Sequence, residues 1–136
     1  MIRFLPDKKF QFILTGGKNE EAFIDEWRKL LPTNVLNLAG KLSLEELISL
    51  LNVCDGIVAA STGPLHIASA IGKYALGIFP PIRPMNPSRW APVGDKAEFL
   101  VSAKNCSDCR NNPQSCHCIN DISPTTVEER ILHWIK

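Results

Sequence analysis

Short apolar runs that end at glycine or proline alternate along this chain with segments of helical periodicity. The first run is FQFIL at 10–14, closed by Thr15-Gly16-Gly17, and further runs cover 35–38, 56–60, 74–79 and 97–101. Buried strands have this pattern, because they are continuous apolar stretches that break at turn residues. Strands that alternate with helices at this spacing predict an α/β fold, with a parallel sheet and helices on both faces.

Two segments between the strands carry an apolar helix face. In the first, the face consists of Phe23, Trp27, Leu30 and Leu31, and Pro32 follows it. In the second it consists of Leu44, Leu47, Ile48 and Leu51. Ser43 and Glu46 have the spacing of a capping box, in which a hydroxyl and a carboxylate satisfy backbone N–H groups at a helix start. We therefore expect the second helix to begin just after Ser43.

A third helix is predicted after the strand at 56–60, because Pro64 suits the first turn of a helix. The proline-rich segment at 80–95 is predicted to be a long loop of the kind that often has a function. A last helix is expected at about 125–135, where Thr125 and Glu128 have capping-box spacing.

Composition limits the classes of protein that remain. A chain of 136 residues fits one domain over 1–136, and 45% hydrophobic with 21% charged residues is typical of a folded globular domain. The formal net charge of +1 lacks the basic surplus of nucleic-acid binders, so no nucleic-acid partner is expected. No apolar run reaches the roughly 20 residues that span a bilayer, which favours a cytoplasmic location.

Two loops follow predicted strands at the edge of a parallel sheet where ligands bind. In STGPLHIA at 61–68, small residues lead into a helix whose N-terminus attracts phosphate, with hydroxyl donors on Ser61 and Thr62. A tight turn at Gly63-Pro64 with a simple helix cap is the alternative, and His66 either faces an anion or is a buried histidine. Thr15-Gly16-Gly17 is a weaker candidate, in which Glu20 either accepts bonds from a ribose or stabilises a helix start.

Four longer segments give these elements a family likeness. They are ILTGGKNE at 13–20, LAGKLSLEELISLL at 38–51, STGPLHIASAIGK at 61–73 and IFPPIRPMNPSRWAPVG at 78–94. In this combination the chain resembles the C-terminal half of family 9 glycosyltransferases, the ADP-heptose:lipopolysaccharide heptosyltransferases of bacteria. The resemblance implies a GT-B enzyme with two Rossmann-like domains, of which this half binds a nucleotide-sugar donor such as ADP-heptose.

The resemblance also implies roles for single residues. The diphosphate would contact Thr62, Gly63 and His66, the ribose Glu20, and the adenine edge Leu42. The turn residues Thr15, Gly16, Gly17 and Pro64 complete the implied donor site. Ser61 stands where many members have aspartate, so that a hexose donor or another nucleotide remains an alternative. No cofactor is implied for catalysis.

The N-terminal domain of the family is expected to be absent, because only MIRFLPDKK precedes the first predicted strand. That domain would supply the lipid-linked glycan acceptor site and the general base, so the resemblance implies that this chain alone is inactive and contains no catalytic residue. It also implies a location peripheral to the inner membrane. Self-association is one way to cover strand edges that a lost strand would expose. The alternative function is a non-catalytic nucleotide-binding or zinc-stabilised interaction module.

Four of the five cysteines lie between 106 and 118. Cys106 and Cys109 form a CxxC pair, and Cys116 and Cys118 form a CxC pair with His117 between them. Four thiolates at this spacing fit a tetrahedral structural zinc ion, with His117 as an alternative ligand. Free thiols and disulfides are the alternatives.

Overall fold

The structure is a computed structural model that describes residues 10–83, 85–102 and 118–135. The chain divides into two compact units at the bond between Glu46 and Leu47. Every strand pair among the described residues is parallel, which confirms the predicted α/β fold with parallel pairing. A single domain over 1–136 stays a prediction.

The first unit contains a two-stranded parallel sheet. Strand β1 (Ile13–Leu14) pairs with β2 (Leu36–Asn37), so that Ile13 lies opposite Leu36. Between the strands, a turn of 3-10 helix (Lys18–Glu20) leads into α1 (Glu21–Arg28). Both strands are shorter than the apolar runs that predicted them.

The apolar face that the sequence predicts on α1 is not the face that the structure buries. Phe23, Trp27 and Leu30 are 63%, 55% and 59% exposed, and Leu30 lies beyond the end of the helix. The half-buried apolar residue on α1 is instead Ile24, whose Cδ1 lies 2.7 Å from the position that a Cβ on Gly16 would take. Periodicity identified residues that share one side of the helix, whereas the packing against Gly16 uses another side.

The second unit is built on a three-stranded sheet in the order β3-β4-β5. Its strands are β3 (Gly56–Ala60), β4 (Tyr74–Phe79) and β5 (Ala97–Val101), with the bounds that the sequence predicts. Helix α3 (Gly63–Ala70) connects β3 to β4. The predicted loop after β4 contains a short helix, α4 (Pro87–Trp90), and the chain closes with α5 (Pro124–Leu132).

A small apolar core holds α3 on this sheet. Leu65, Ala75 and Phe79 are fully buried against each other, and Ile57, Ala59 and Ala97 pack around them. Since Leu65 is the third residue of α3, the core fixes the first turn of the helix directly beyond the end of β3. The loop at 61–63 is therefore held at the carboxyl edge of the strands.

Capping was predicted correctly for one helix and wrongly for another. Helix α2 (Leu44–Val53) begins after Ser43, whose N–H donates to Glu46 Oε2 at 2.7 Å, while the Glu46 N–H donates to Ser43 Oγ at 3.2 Å. In α5 the cap is not Thr125 but Ser123, whose Oγ accepts from the Thr126 N–H at 3.1 Å. Pro124 explains the shift, because proline fits the first position after a cap.

Within the described ranges, no helix combines the length and the apolar character that crossing a bilayer requires.

We predict that Ser43→Ala lowers the free energy of unfolding by about 1 kcal/mol, the usual contribution of a helix cap. Urea denaturation measures this. Thr33→Ala, at an exposed threonine outside the helices, is the control and should change stability by less than about 0.5 kcal/mol. Equal losses in the two variants would contradict the cap assignment.

The same capping box predicts a pH dependence. Hydrogen bonds from Ser43 hold the pKa of Glu46 below its ordinary value of 4.5. The unfolded chain therefore binds more protons than the folded chain at pH values between the lowered pKa and 4.5. The contribution of these hydrogen bonds to stability is complete above pH 4.5 and is lost as the pH falls through the lowered pKa. Glu46→Gln should make the acid loss of stability less steep, and an unchanged slope in urea titrations across this range would contradict the assignment.

Gly56 is predicted to be intolerant of a side chain. An added Cβ would lie 2.7 Å from the Tyr74 carbonyl oxygen and 2.6 Å from Trp134 Cζ3, where the Trp134 ring stacks on the Tyr74 ring at 5.4 Å. Gly56→Ala should therefore destabilise the protein by about 1–3 kcal/mol, the usual cost of overpacking. Gly63→Ala is the matched control, because a Cβ there meets open space. Thermal or urea unfolding of both variants checks this, and equal stability would contradict it.

Candidate functional site

The start of α3 is the most open of the predicted ligand-binding positions. Thr62 caps the helix in an extended conformation, with φ −133° and ψ 163°, and Gly63 and Pro64 are its first two residues. Thr62 and Gly63 are exposed, and a Cβ on Gly63 would meet no atom within 4 Å. A ligand therefore has free access to the backbone at this point.

The hydrogen-bonding groups at this helix start are few and specific. Pro64 has no N–H, and the Leu65 N–H donates to the Thr62 carbonyl at 3.1 Å. Among the described residues the Gly63 N–H has no partner. The Thr62 hydroxyl donates to the Ala60 carbonyl at 3.3 Å, so it can donate to an anion only after rotating away from that carbonyl. The positive end of the helix dipole adds to these groups.

His66 is half-buried in the first turn of α3 and faces an aromatic neighbour that the sequence analysis did not assign to the site. Its ring centroid lies 6.4 Å from that of Trp90, at an angle of 57° between the ring planes. The guanidinium carbon of Arg89 lies 5.1 Å from the Trp90 centroid. His66 is thus neither exposed nor fully buried, and it shares its surroundings with α4, while its role toward an anion stays a prediction.

Trp90 and Arg89 were expected in a functional loop but were not assigned to the donor site, because nothing in their local sequence indicates what they contact. The segment at 80–95 was predicted to be a functional loop, and only the three-dimensional path of the chain brings it back to α3. The available signal was Asn86-Pro87, a cap residue followed by proline, which marks the start of α4. A predicted helix there would have placed Arg89 and Trp90 in one ordered turn.

In the first unit, Glu20 has the helix-stabilising role that was one of its two alternatives. Its Oε2 accepts from the Gly17 N–H at 2.8 Å, and its own N–H donates to the Gly17 carbonyl at 2.9 Å. These bonds close the turn of 3-10 helix ahead of α1. A role of Glu20 toward a ribose stays a prediction.

A backbone hydrogen bond from Gly40 stabilises the turn at Thr15-Gly16-Gly17 in this unit. The Gly40 N–H donates to the Gly16 carbonyl at 2.9 Å, and Gly40 has a φ of +69°, which favours glycine. Thr15 is half-buried beside this turn, and Leu42, also half-buried, directly precedes the capping box of α2. The role of Leu42 toward an adenine stays a prediction.

The ten predicted donor-site residues lie five in each unit. Thr15, Gly16, Gly17, Glu20 and Leu42 are in the first unit, and Ser61, Thr62, Gly63, Pro64 and His66 are in the second. The structure brings the second set together around the start of α3. Joint action of both sets on one ligand stays a prediction.

Most of the predicted zinc ligands lie outside the described residues, namely Cys106, Cys109 and Cys116, with the alternative ligand His117. Cys118 is buried at the start of a 3-10 turn (Cys118–Asp121). In the part of the chain that is described, no three His, Cys, Asp or Glu side chains are grouped as a metal site requires. The zinc site stays a prediction.

Comparison with known proteins gives a consistent result. The family model described as glycosyltransferase family 9 (heptosyltransferase) matches residues 1–120. Lipooligosaccharide heptosyltransferase 2 of Haemophilus influenzae is 31% identical over 91 residues, which are 64% of this chain and 25% of that protein. Lipopolysaccharide heptosyltransferase 2 of Escherichia coli K12 is 26% identical over 100 residues, which are 71% of this chain and 28% of that protein. The chain thus spans about a quarter of these relatives.

Two solved structures share the fold. ADP-heptose LPS heptosyltransferase II of E. coli has a TM-score of 0.72 at 22% identity, over 94% of this chain and 37% of that one. A family 9 glycosyltransferase from Veillonella parvula has a TM-score of 0.75 at 16% identity, over 92% of this chain and 36% of that one. These likenesses confirm the Rossmann-like fold class. Since the family model covers most of the sequence, the chain belongs to glycosyltransferase family 9.

Proposed function

We propose that this chain binds the nucleotide-sugar donor, an ADP-heptose-like molecule, of a glycosyltransferase that acts in the synthesis of lipopolysaccharide or a related glycan. The observation that carries the proposal is the open start of α3, where the Gly63 N–H has no protein partner within the described residues. Family membership and the names of the relatives support the choice of substrate class.

The diphosphate of the donor fits the start of α3 by charge and by shape. A Cβ on Gly63 would meet open space and the Gly63 N–H has no partner among the described residues, so a phosphate oxygen has room to approach the backbone. The Thr62 hydroxyl and the His66 imidazole are further polar groups at the start of this helix. Helix N-termini bind phosphate because unpaired N–H groups and the helix dipole act in the same direction.

The same groups would assist the transfer step. As an acceptor hydroxyl attacks the anomeric carbon, the bond from that carbon to the diphosphate breaks and negative charge grows on the leaving oxygen. Hydrogen-bond donors that are already in place stabilise such charge without reorganisation. In this proposal the start of α3 and His66 provide that stabilisation, whereas the acceptor and the base that takes its proton belong to an N-terminal acceptor domain.

Ser61 does not determine which sugar the donor carries. The hydroxyl of Ser61 is neutral, while the aspartate of many family members is charged, so contacts to the sugar differ between them. An ADP-heptose-like donor remains the first choice, because the relatives are named for heptose transfer. A cytoplasmic location peripheral to the inner membrane and a lipid-linked acceptor are parts of the same proposal.

Calorimetric titration with ADP, and with UDP for comparison, tests the donor site. We expect saturable ADP binding that Thr62→Ala and His66→Ala each weaken about tenfold, as for the loss of one hydrogen bond to a charged group. Gly63→Ala should weaken it by a similar factor while leaving the unfolding free energy unchanged within about 0.5 kcal/mol, because the methyl group occupies the space for the ligand.

His133→Ala is the matched control, since this histidine is exposed at the end of α5. It should leave ADP affinity unchanged. A folded wild-type chain that releases no heat with ADP at any accessible concentration, or an ADP affinity that Gly63→Ala leaves intact, would contradict the proposal.

A further inference from the structure

Helix α4 brings a cation and a large aromatic ring to the side of His66. The two ring centroids of His66 and Trp90 are 6.4 Å apart, and the Arg89 guanidinium carbon lies 5.1 Å from the Trp90 centroid. The three side chains thus form a continuous row that begins in the first turn of α3. We call this row the His66–Trp90–Arg89 row.

The charge of Arg89 is not neutralised within the part of the chain that is described, where the ion pair that is formed joins Arg130 to Glu98 at 2.8 Å. Arg89 is exposed, and its guanidinium group lies against the Trp90 ring. The N–H groups of a guanidinium lie in one plane, and this planar arrangement matches two oxygens of a phosphate. The row therefore ends in a cation that is suited to an anion with several oxygens.

Trp90 does not serve the core of the second unit. It is 43% exposed, and the ring that it contacts belongs to half-buried His66 and not to the cluster around Leu65. Helix α4 is also held independently of this ring, because the Ser88 hydroxyl donates to Asn86 Oδ1 at 2.6 Å and the Ala91 N–H donates to the Pro87 carbonyl at 3.0 Å. The contacts of the Trp90 indole are thus with His66 and Arg89 and not with the core.

We propose that Trp90 positions the His66 imidazole and that Arg89 binds the diphosphate of the nucleotide donor, so that α4 forms a second side of the donor site. This inference rests on the proposed function, since it assigns residues to the same ligand. It predicts selectivity for the number of phosphates, because Arg89 adds charge and adenosine offers nothing for that charge to bind.

The test is calorimetric titration of the full chain with ADP, AMP and adenosine at two NaCl concentrations. Arg89→Ala should weaken the binding of ADP at least tenfold, weaken the binding of AMP less and leave the binding of adenosine unchanged. It should also reduce the salt dependence of ADP binding. Arg89→Lys should recover only part of the loss, because lysine lacks the planar pair of N–H groups. Lys41→Ala, at an exposed lysine on the first unit, is the matched charge control.

The positioning role of Trp90 has a readout that a merely structural role would not move. In ¹H–¹³C spectra of the unliganded chain, Trp90→Ala should shift the His66 ring signals, because the ring current of the indole is removed. Trp90→Ala should also weaken the binding of ADP severalfold, and Trp90→Phe should restore most of the lost affinity. Trp27→Phe is the control, as this exposed tryptophan contacts Phe23 at 5.9 Å and not His66.

The outcomes separate the two proposals. A wild-type chain that binds ADP while Arg89→Ala and Trp90→Ala bind it equally well would overturn this inference and leave the proposed function standing. A wild-type chain that does not bind ADP would overturn both. Unfolding of the variants by urea is measured alongside. If Trp90→Ala fails to fold, Trp90→Leu replaces it, because leucine keeps apolar bulk but has no aromatic ring, and an ADP affinity equal to that of the wild type would then overturn the role of Trp90.

Discussion

The contact of Leu65 with the sheet determines most of what the second unit can do. Leu65 belongs to the first turn of α3 and packs on Ala75 and Phe79 of β4. The space for it exists because Gly77 has no side chain, since a Cβ there would lie 2.9 Å from Leu65 Cδ2. An apolar anchor this close to the start of a helix keeps the residues just before it at the surface, and these residues are Thr62 and Gly63. Burial of one leucine thus accompanies the exposed helix start at which we propose that the diphosphate binds.

The elements that the sequence predicted well are those governed by local rules. The bounds of β3, β4 and β5 follow from continuous apolar runs between turn residues, and the start of α2 follows from the Ser43–Glu46 pair. The error on α1 arose because periodicity shows which residues share a face, but not which face the rest of the protein covers. Ile24, a single residue outside the apolar series, packs beside Gly16 instead. The cap of α5 was misplaced for a local reason, the proline at 124.

In the candidate site, too, some features could be predicted from local sequence and others could not. A strand that ends in small residues and a helix that begins with proline could be recognised from the sequence, and family membership agrees with that recognition. The neighbours of His66 could not, because Trp90 is separated from it by a strand and a loop. Glu20 differs, because its bond to the Gly17 N–H is local and was one of the two uses that the sequence allowed, while a contact to a ribose stays a prediction. Contacts between distant segments are properties of the folded chain, and short motifs do not contain them.

The most direct measurement of the central claim is a ¹H–¹⁵N chemical-shift map of the chain during titration with ADP. The account predicts that the largest changes occur at the amides of Gly63, Leu65 and His66 and at the indole N–H of Trp90. The second unit offers a built-in comparison at the start of β4 and β5, where Lys73 and Lys96 flank a shallow depression. Changes concentrated at those lysines, with the amides around Gly63 unmoved, would contradict the assignment of the donor site to the start of α3.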